Sequence, residues 1–158
     1  FAVEMQQQLG ISIDYVSSAS AAIATAEIIC TATNSTSPVF EDAGVRPGTH
    51  INAVGAYRPD MAEVPAATVC RSRVVVDHHA SALEEAGDLI APLRAGKISE
   101  THFATELGQL VLGRRPGRTS VDEITLFKSV GVAIQDLCAA ARALANARRL
   151  GLGTPLHS

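Results

Sequence analysis

A chain of 158 residues, 47% of them hydrophobic and with a formal net charge of -3, has the length and apolar content of one domain with its own core. Lysine and arginine are scattered along it, which excludes nucleic-acid and anionic-lipid binding as a main role. Three cysteines at wide spacings, Cys30, Cys70 and Cys138, offer neither a disulfide framework nor a zinc site and point to a reducing compartment.

In chain order, "FAVEMQQQLG" places Phe1, Met5 and Leu9 at a four-residue spacing, and Gly10 follows as a helix stop. Because the chain opens inside that helix, it reads as a piece of a longer protein. It shows no signal-peptide pattern and no run near the roughly 18 apolar residues of a membrane span, so a cytoplasmic location is expected. Ile11 to Val16 alternates like a strand, "SSASAAIATA" reads as a serine-capped helix, and "EIICTAT" as a second strand running to Thr31. After the loop "NSTSPVF", strands are predicted in "THINAVG" and at Arg73 to Val76, and "ASALEEAG" as a helix ending at Gly87. Strands with near-continuous apolar cores, alternating with helices, predict a parallel α/β sheet of the doubly wound kind.

Beyond Gly87, "ETHFATELGQLVLG" puts Phe103, Leu107, Leu110 and Val111 on one face of a predicted helix, and "RRPGRTS" is an exposed basic turn. A short β-prone run, Ile124 to Phe127, leads into a long helix with Val130, Ile134, Leu137, Ala141 and Leu144 on its apolar face. Gly151 and Gly153 end it, and the last residues are expected to be loose.

In an open parallel sheet, ligands bind at the carboxyl ends of the strands. "CTATNSTSP" and "NAVGAYRP" end two strands in small residues that let a ligand approach the backbone; an ordinary Asx and Ser/Thr turn explains the first equally well. In "LFKSVG", Ser129 stands where a strand hands over to a helix, with the amides of Val130 and Gly131 at the positive end of that helix dipole. Ser129 also reads as a plain cap, and a helix starting earlier would use the capping-box spacing of Ser120 and Glu123. His78 and His79 point opposite ways from a strand end, so no metal site is assigned. Glu84, Glu85 and Asp88 read as a solvated face, and "GRRPGR" as a surface loop. "GLGT" follows a helix and so fails the context of a dinucleotide loop.

The blocks "TATNSTSPVF", "GTHINAVGAYRPDM" and "EITLFKSVGVAIQDLCAA", with "GDLIAPLRAGKI" and "ELGQLVLGRRPGR" between them, resemble the ornithine cyclodeaminase and mu-crystallin family in order and spacing. The resemblance implies a Rossmann-type NAD(P)-binding domain, here residues 1–98 with its amino-terminal strands and glycine loop upstream of Phe1. Residues 99–158 would then be a helical segment of the substrate and dimerisation domain, in a homodimer. It also implies that Thr31 contacts the cofactor near its phosphates or adenosine. Ile51, Asn52, Ala53 and Val54 would lie along the nicotinamide riboside, Ser129 would hold the nicotinamide side, and the Val130 amide would meet a substrate carboxylate.

One departure bears on the reaction. True ornithine cyclodeaminases carry an aspartate two residues past the glycine of "NAVG", where it acts on the substrate amine; here that residue is Tyr57. A phenol is a far poorer base at neutral pH. The pattern is more similar to that of the members that reduce cyclic imines such as 1-pyrroline-2-carboxylate to proline with NAD(P)H. Ornithine cyclodeamination, amino-acid dehydrogenation and a mu-crystallin-like role in binding NAD(P)H or a small ligand are the alternatives. Asp60 is the nearby carboxylate, and a turn-stiffening pair with Arg58 is its simpler reading.

Overall fold

Four short aliphatic runs form the strands: β1 (Ile28–Thr31), β2 (His50–Ala53), β3 (Arg73–Val76) and β4 (Thr125–Lys128). In the computed structural model, which describes residues 1–154, they make one all-parallel sheet in the order β1-β2-β4-β3. The register pairs Thr31 with Ala53, Ala53 with Lys128, and Val76 with Lys128, so the carboxyl ends of all the strands finish level. The sheet therefore takes a central strand from residues 125–128, and the boundary expected at 98/99 is not the limit of the sheet.

Alternation assigns the two faces. Ile29, Ile51, Val74, Val76 and Leu126 point into the core, where Val64, Val69, Ala82, Leu89 and Phe103 meet them from the connections and from α3 (Ala66–Arg71), α4 (His79–Glu85) and α5 (Gly87–Arg94). On the opposite face Ile28 and Cys30 are exposed, and His50, Asn52, Thr125 and Phe127 are half-buried. The chain enters through α1 (Ala2–Leu9), closed by Gly10 at φ 66°, and α2 (Ala19–Ile23), where the Ser18 side chain accepts the Ala21 N–H at 3.2 Å. It leaves through α7 (Ala133–Leu150), closed by Gly151 at φ 65°. The loose end expected past that helix includes residues 155–158, which lie outside the described residues.

Four expectations change. Ile11 to Val16 is not a strand: its backbone pairs with no described strand, and alternation alone cannot supply the N–H and C=O partners a strand needs. Gly87 starts α5 rather than ending α4, and a Cβ there would collide with the carbonyl oxygens of Met61 and Arg58. The helix expected through Phe103 and Leu107 is broken into a 3-10 turn (Glu100–Phe103) and α6 (Leu107–Val111). The cause lies between them: Thr105 O accepts the Val76 N–H, the Glu106 side chain accepts the His79 N–H, and Glu106 with Gln109 forms a capping box that restarts the helix. Finally, neither Ser129 nor Ser120 caps α7, whose N-cap is Val132.

Candidate active site

Both β1 and β2 run out into extended segments, and between their ends opens a cleft of about 440 Å³ lined by Ala32, Thr33, Asn34, Val54, Gly55 and Tyr57. Val54 and Tyr57 are about half exposed there, at 46% and 53%. The glycine is required by close packing: a Cβ on Gly55 would strike the backbone of Thr33 and the carboxylate of Glu63.

The cleft is shaped from beneath by Glu63, which is fully buried. Its carboxylate accepts the Thr31 hydroxyl at 3.0 Å, the Gly55 N–H at 2.8 Å and the Ala56 N–H at 3.1 Å, together with the Thr33 N–H. Burial pushes the Glu63 pKa up, but the hydrogen bonds from Thr33, Thr31 and Gly55 outweigh it and hold the group below the usual glutamate range. Behind it, Asp88 Oδ1 accepts the N–H groups of Glu63 and Val64 at 2.7 and 2.9 Å, and Asp88 Oδ2 lies 3.1 Å from Lys128 Nζ with both side chains at 0% exposure. Asp88 is thus a core anion, not part of a solvated face. The pair is held by charge at that separation, since neither Lys128 Nζ nor Asp88 Oδ2 makes a hydrogen bond among the described residues, and removing one partner strands the other charge.

A second carboxylate organises the end of β4. Asp77, the residue after β3, accepts the Ser129 hydroxyl at 2.7 Å and the N–H groups of Val130 at 2.9 Å and Gly131 at 2.7 Å, all on Oδ2. The turn that leads into α7 is therefore tied across to β3. A ligand carboxylate at the Val130 amide would share or displace this bond.

The predicted contact residues fall into three groups. Asn52 and Val54 lie on the open side of β2, whereas Ile51 and Ala53 are fully buried, so any contact they make is through backbone. Thr31 turns its hydroxyl inward to Glu63 and is 4% exposed, so its influence on a ligand would run through the clamp. Ser129 and Val130 sit one strand over, where the Ser129 N–H donates to Ala53 O at 3.1 Å. Tyr57 rims the cleft. Arg58 and Asp60 pair at 3.3 Å on the surface, which matches the simpler reading of that turn. His78 caps α4 and His79 packs against Phe103, and the described residues contain no group of three ligands fit for a metal.

Glu63, Asp77 and Lys128 escaped residue-by-residue reading, and Asp88, which by sequence reads as part of a solvated face, is buried. Lys128 did carry a signal, since alternation from Ile124 and Leu126 puts it on the core face, where a lone lysine demands a buried partner. An apolar hollow of about 430 Å³ lies elsewhere, between α6 and the open face, lined by Val75, Leu107, Leu110 and Phe127 among others. It reaches His50, Arg73 and Thr125 at the amino ends of the strands, away from the strand-end cleft.

The family model described as ornithine cyclodeaminase/mu-crystallin family matches residues 1–149. A Delta(1)-pyrroline-2-carboxylate reductase of Bacillus cereus is 41% identical over 97% of this chain and 47% of its own length. Among solved structures, Thermococcus litoralis Delta(1)-pyrroline-2-carboxylate reductase in complex with NADH and L-proline superposes with a TM-score of 0.92 at 42% identity, over 98% of this chain and 48% of that one. An archaeal alanine dehydrogenase dimer with bound NAD gives 0.85 at 32% identity, over 98% and 48%. The chain spans about half the length of the relatives it matches. With an all-parallel sheet that opens a cleft between the ends of β1 and β2, and with a match along nearly its whole length, the chain belongs to the ornithine cyclodeaminase/mu-crystallin family.

Proposed function

We propose that the protein is an NAD(P)H-dependent reductase of cyclic imines such as 1-pyrroline-2-carboxylate, giving L-proline. The observation that carries this reading is the absence of a free carboxylate at the described strand ends. Glu63 is occupied by its four donors, Asp77 by Ser129, Val130 and Gly131, and Asp60 turns to Arg58 on the surface. Amine chemistry of the cyclodeaminase kind needs a base in hydrogen-bond reach of the substrate nitrogen. Imine reduction does not, because the nitrogen gains a proton instead of losing one. Two of the three named relatives, those of Bacillus cereus and Thermococcus litoralis, are Delta(1)-pyrroline-2-carboxylate reductases.

The cleft suits the cofactor's ring. Its lining is backbone and uncharged side chains, and Glu63 keeps its charge on the far side of the loop. A bound NAD(P)H would supply a hydride to the C=N carbon. The chain's own residues do the rest: Val54 and Gly55 offer a flat backbone wall, Thr33 and Asn34 the opposite wall, and Tyr57 closes the rim where the imine would stand. In this reading Asn52 and Ser129 border the nicotinamide riboside, and the substrate's carboxylate shares the Val130 amide with Asp77, whose Oδ2 keeps the Ser129 hydroxyl and the Gly131 N–H. A protonated group or water supplies the proton to nitrogen, and Tyr57 is the side chain at the cleft rim that carries an O–H donor.

A homodimer belongs to the same proposal. The exposed side of α7 carries Ile134, Leu137 and Leu144, each more than half exposed, which is the apolar stripe a partner helix would cover. The archaeal alanine dehydrogenase relative is itself a dimer.

The test is NAD(P)H oxidation at 340 nm by the full-length protein with 1-pyrroline-2-carboxylate, beside ammonia release from ornithine. Imine-dependent oxidation is expected. Ammonia release without it would overturn the reading in favour of a cyclodeaminase, and tight cofactor binding without turnover of any imine would favour a binding protein.

A further inference from the structure

Beneath the cleft, the structure assigns Glu63 a positioning role in cofactor binding: with Asp88 and Lys128 behind it, its carboxylate clamps the ends of β1 and β2 at the spacing the cleft needs. The inference rests on the proposed cofactor site. It goes further by placing the control of that site in buried residues beneath the cleft.

The geometry is specific. Thr31 and Thr33 belong to the end of β1, whereas Gly55 and Ala56 belong to the end of β2, and Glu63 is the single side chain among the described residues that takes hydrogen bonds from both. Thr33 and Gly55 are also opposite walls of the cleft. One carboxylate therefore touches both walls, and the two exits are joined again further out, where Ala62 N–H donates to Ser35 O at 3.0 Å. The two strands are already paired through Thr31 and Ala53, and Val54 N–H donates to Thr31 O at 3.0 Å, so the ladder itself holds only as far as Val54. Past that point no described backbone hydrogen bond joins the two walls, and Glu63 bridges them instead.

Glu63 is in turn fixed along its own backbone. Asp88 holds the N–H groups of Glu63 and Val64, and Lys128 faces the other oxygen of Asp88. Lys128 ends β4, the strand on the other side of β2. Three strand ends, those of β1, β2 and β4, thus meet at Glu63: its carboxylate takes donors from the first two, and its backbone N–H donates to Asp88, which pairs with Lys128.

The experiment compares Glu63→Gln and Thr31→Val with Thr68→Val in the full-length protein. Thr68 is a matched control, because its buried hydroxyl donates to Asp42 at 2.6 Å in the cluster with Arg71, which does not line the cleft. NADH and NADPH affinity is read by nicotinamide fluorescence, and Tm and steady-state imine reduction are read beside it. Glu63→Gln and Thr31→Val should raise the cofactor Kd roughly tenfold or more and lower kcat by up to about 10²-fold, as expected when reacting groups are misplaced by about 1 Å. Thr68→Val should lower Tm by a similar amount with cofactor Kd unchanged. Equal Tm losses with unchanged Kd in all the variants would overturn the positioning role. Should Glu63→Gln fail to fold, Thr31→Val decides alone, since it removes one donor and keeps the side chain's shape. If the unmodified protein binds neither NADH nor NADPH, the cofactor reading itself falls and the positioning role with it, a result distinct from loss in the variants only.

Discussion

The two faces of the sheet are built on different principles. Toward α3, α4 and α5, the side chains of Ile51, Val76 and Leu126 are at most 1% exposed, and the same face carries the Lys128 ammonium sealed against Asp88. On the other face Ile28 is 63% exposed, Asn52 and Phe127 are half-buried, and an apolar hollow lies under α6. Helices returning over a parallel sheet bury its faces. The contrast shows that burial is concentrated on the side facing α3, α4 and α5, while the other face stays partly open.

The sharpest way to break this comparison is Lys128→Met, which leaves Asp88 buried without its counter-charge. It should cost about 3–5 kcal/mol in urea unfolding; a loss below about 1 kcal/mol would show that the inner face admits water and is not sealed. Next, neighbouring residues of β4 report the two faces directly. Leu126→Ala, on the sealed face, should destabilise by about 2–5 kcal/mol, and Phe127→Ala on the open face by roughly half as much despite the larger side chain. Equal losses would mean that both faces are packed alike.

Acid protonates Glu63 together with Asp42 and Glu123, which are also held below the usual carboxylate range, so the share of Glu63 is read as a difference between variants. The folded-state pKa of Glu63 lies below its unfolded value, so its contribution is fully present above the ordinary glutamate range and is lost as pH falls through the depressed pKa. Stability should thus decline more steeply on acidification in the unmodified protein than in Glu63→Gln. A superimposable pH dependence in the two would remove Glu63 from the account of the inner face. Smaller again, Ser18→Ala removes the cap of α2 and should cost about 1 kcal/mol by thermal unfolding. Smallest of all, Asp60→Ala, in an ion pair whose side chains are more than half exposed, should change stability by less than about 0.5 kcal/mol. A larger change there would place the Tyr57 loop among the rigid parts of the molecule.

Much of this was readable in advance. Apolar runs predicted all the strands of the observed sheet to within a few residues, and the glycines after Leu9 and Leu150 stop their helices in the left-handed conformation. These are local properties: side-chain period and backbone freedom act over a few residues and need no partner. The loop after "NAVG", with tyrosine in place of a carboxylate, is likewise plain from residue order, and so was the family resemblance. Tertiary structure alone decided the rest. Ile11 to Val16 alternates yet forms no strand, because a strand exists only where a neighbour supplies hydrogen bonds. Glu63, Asp77 and Asp88 are acidic residues like any others in the chain until the fold brings donors 7 to 54 positions away onto their oxygens. Burial then converts an ordinary carboxylate into a clamp, because a desolvated charge must find every hydrogen bond it can within the protein.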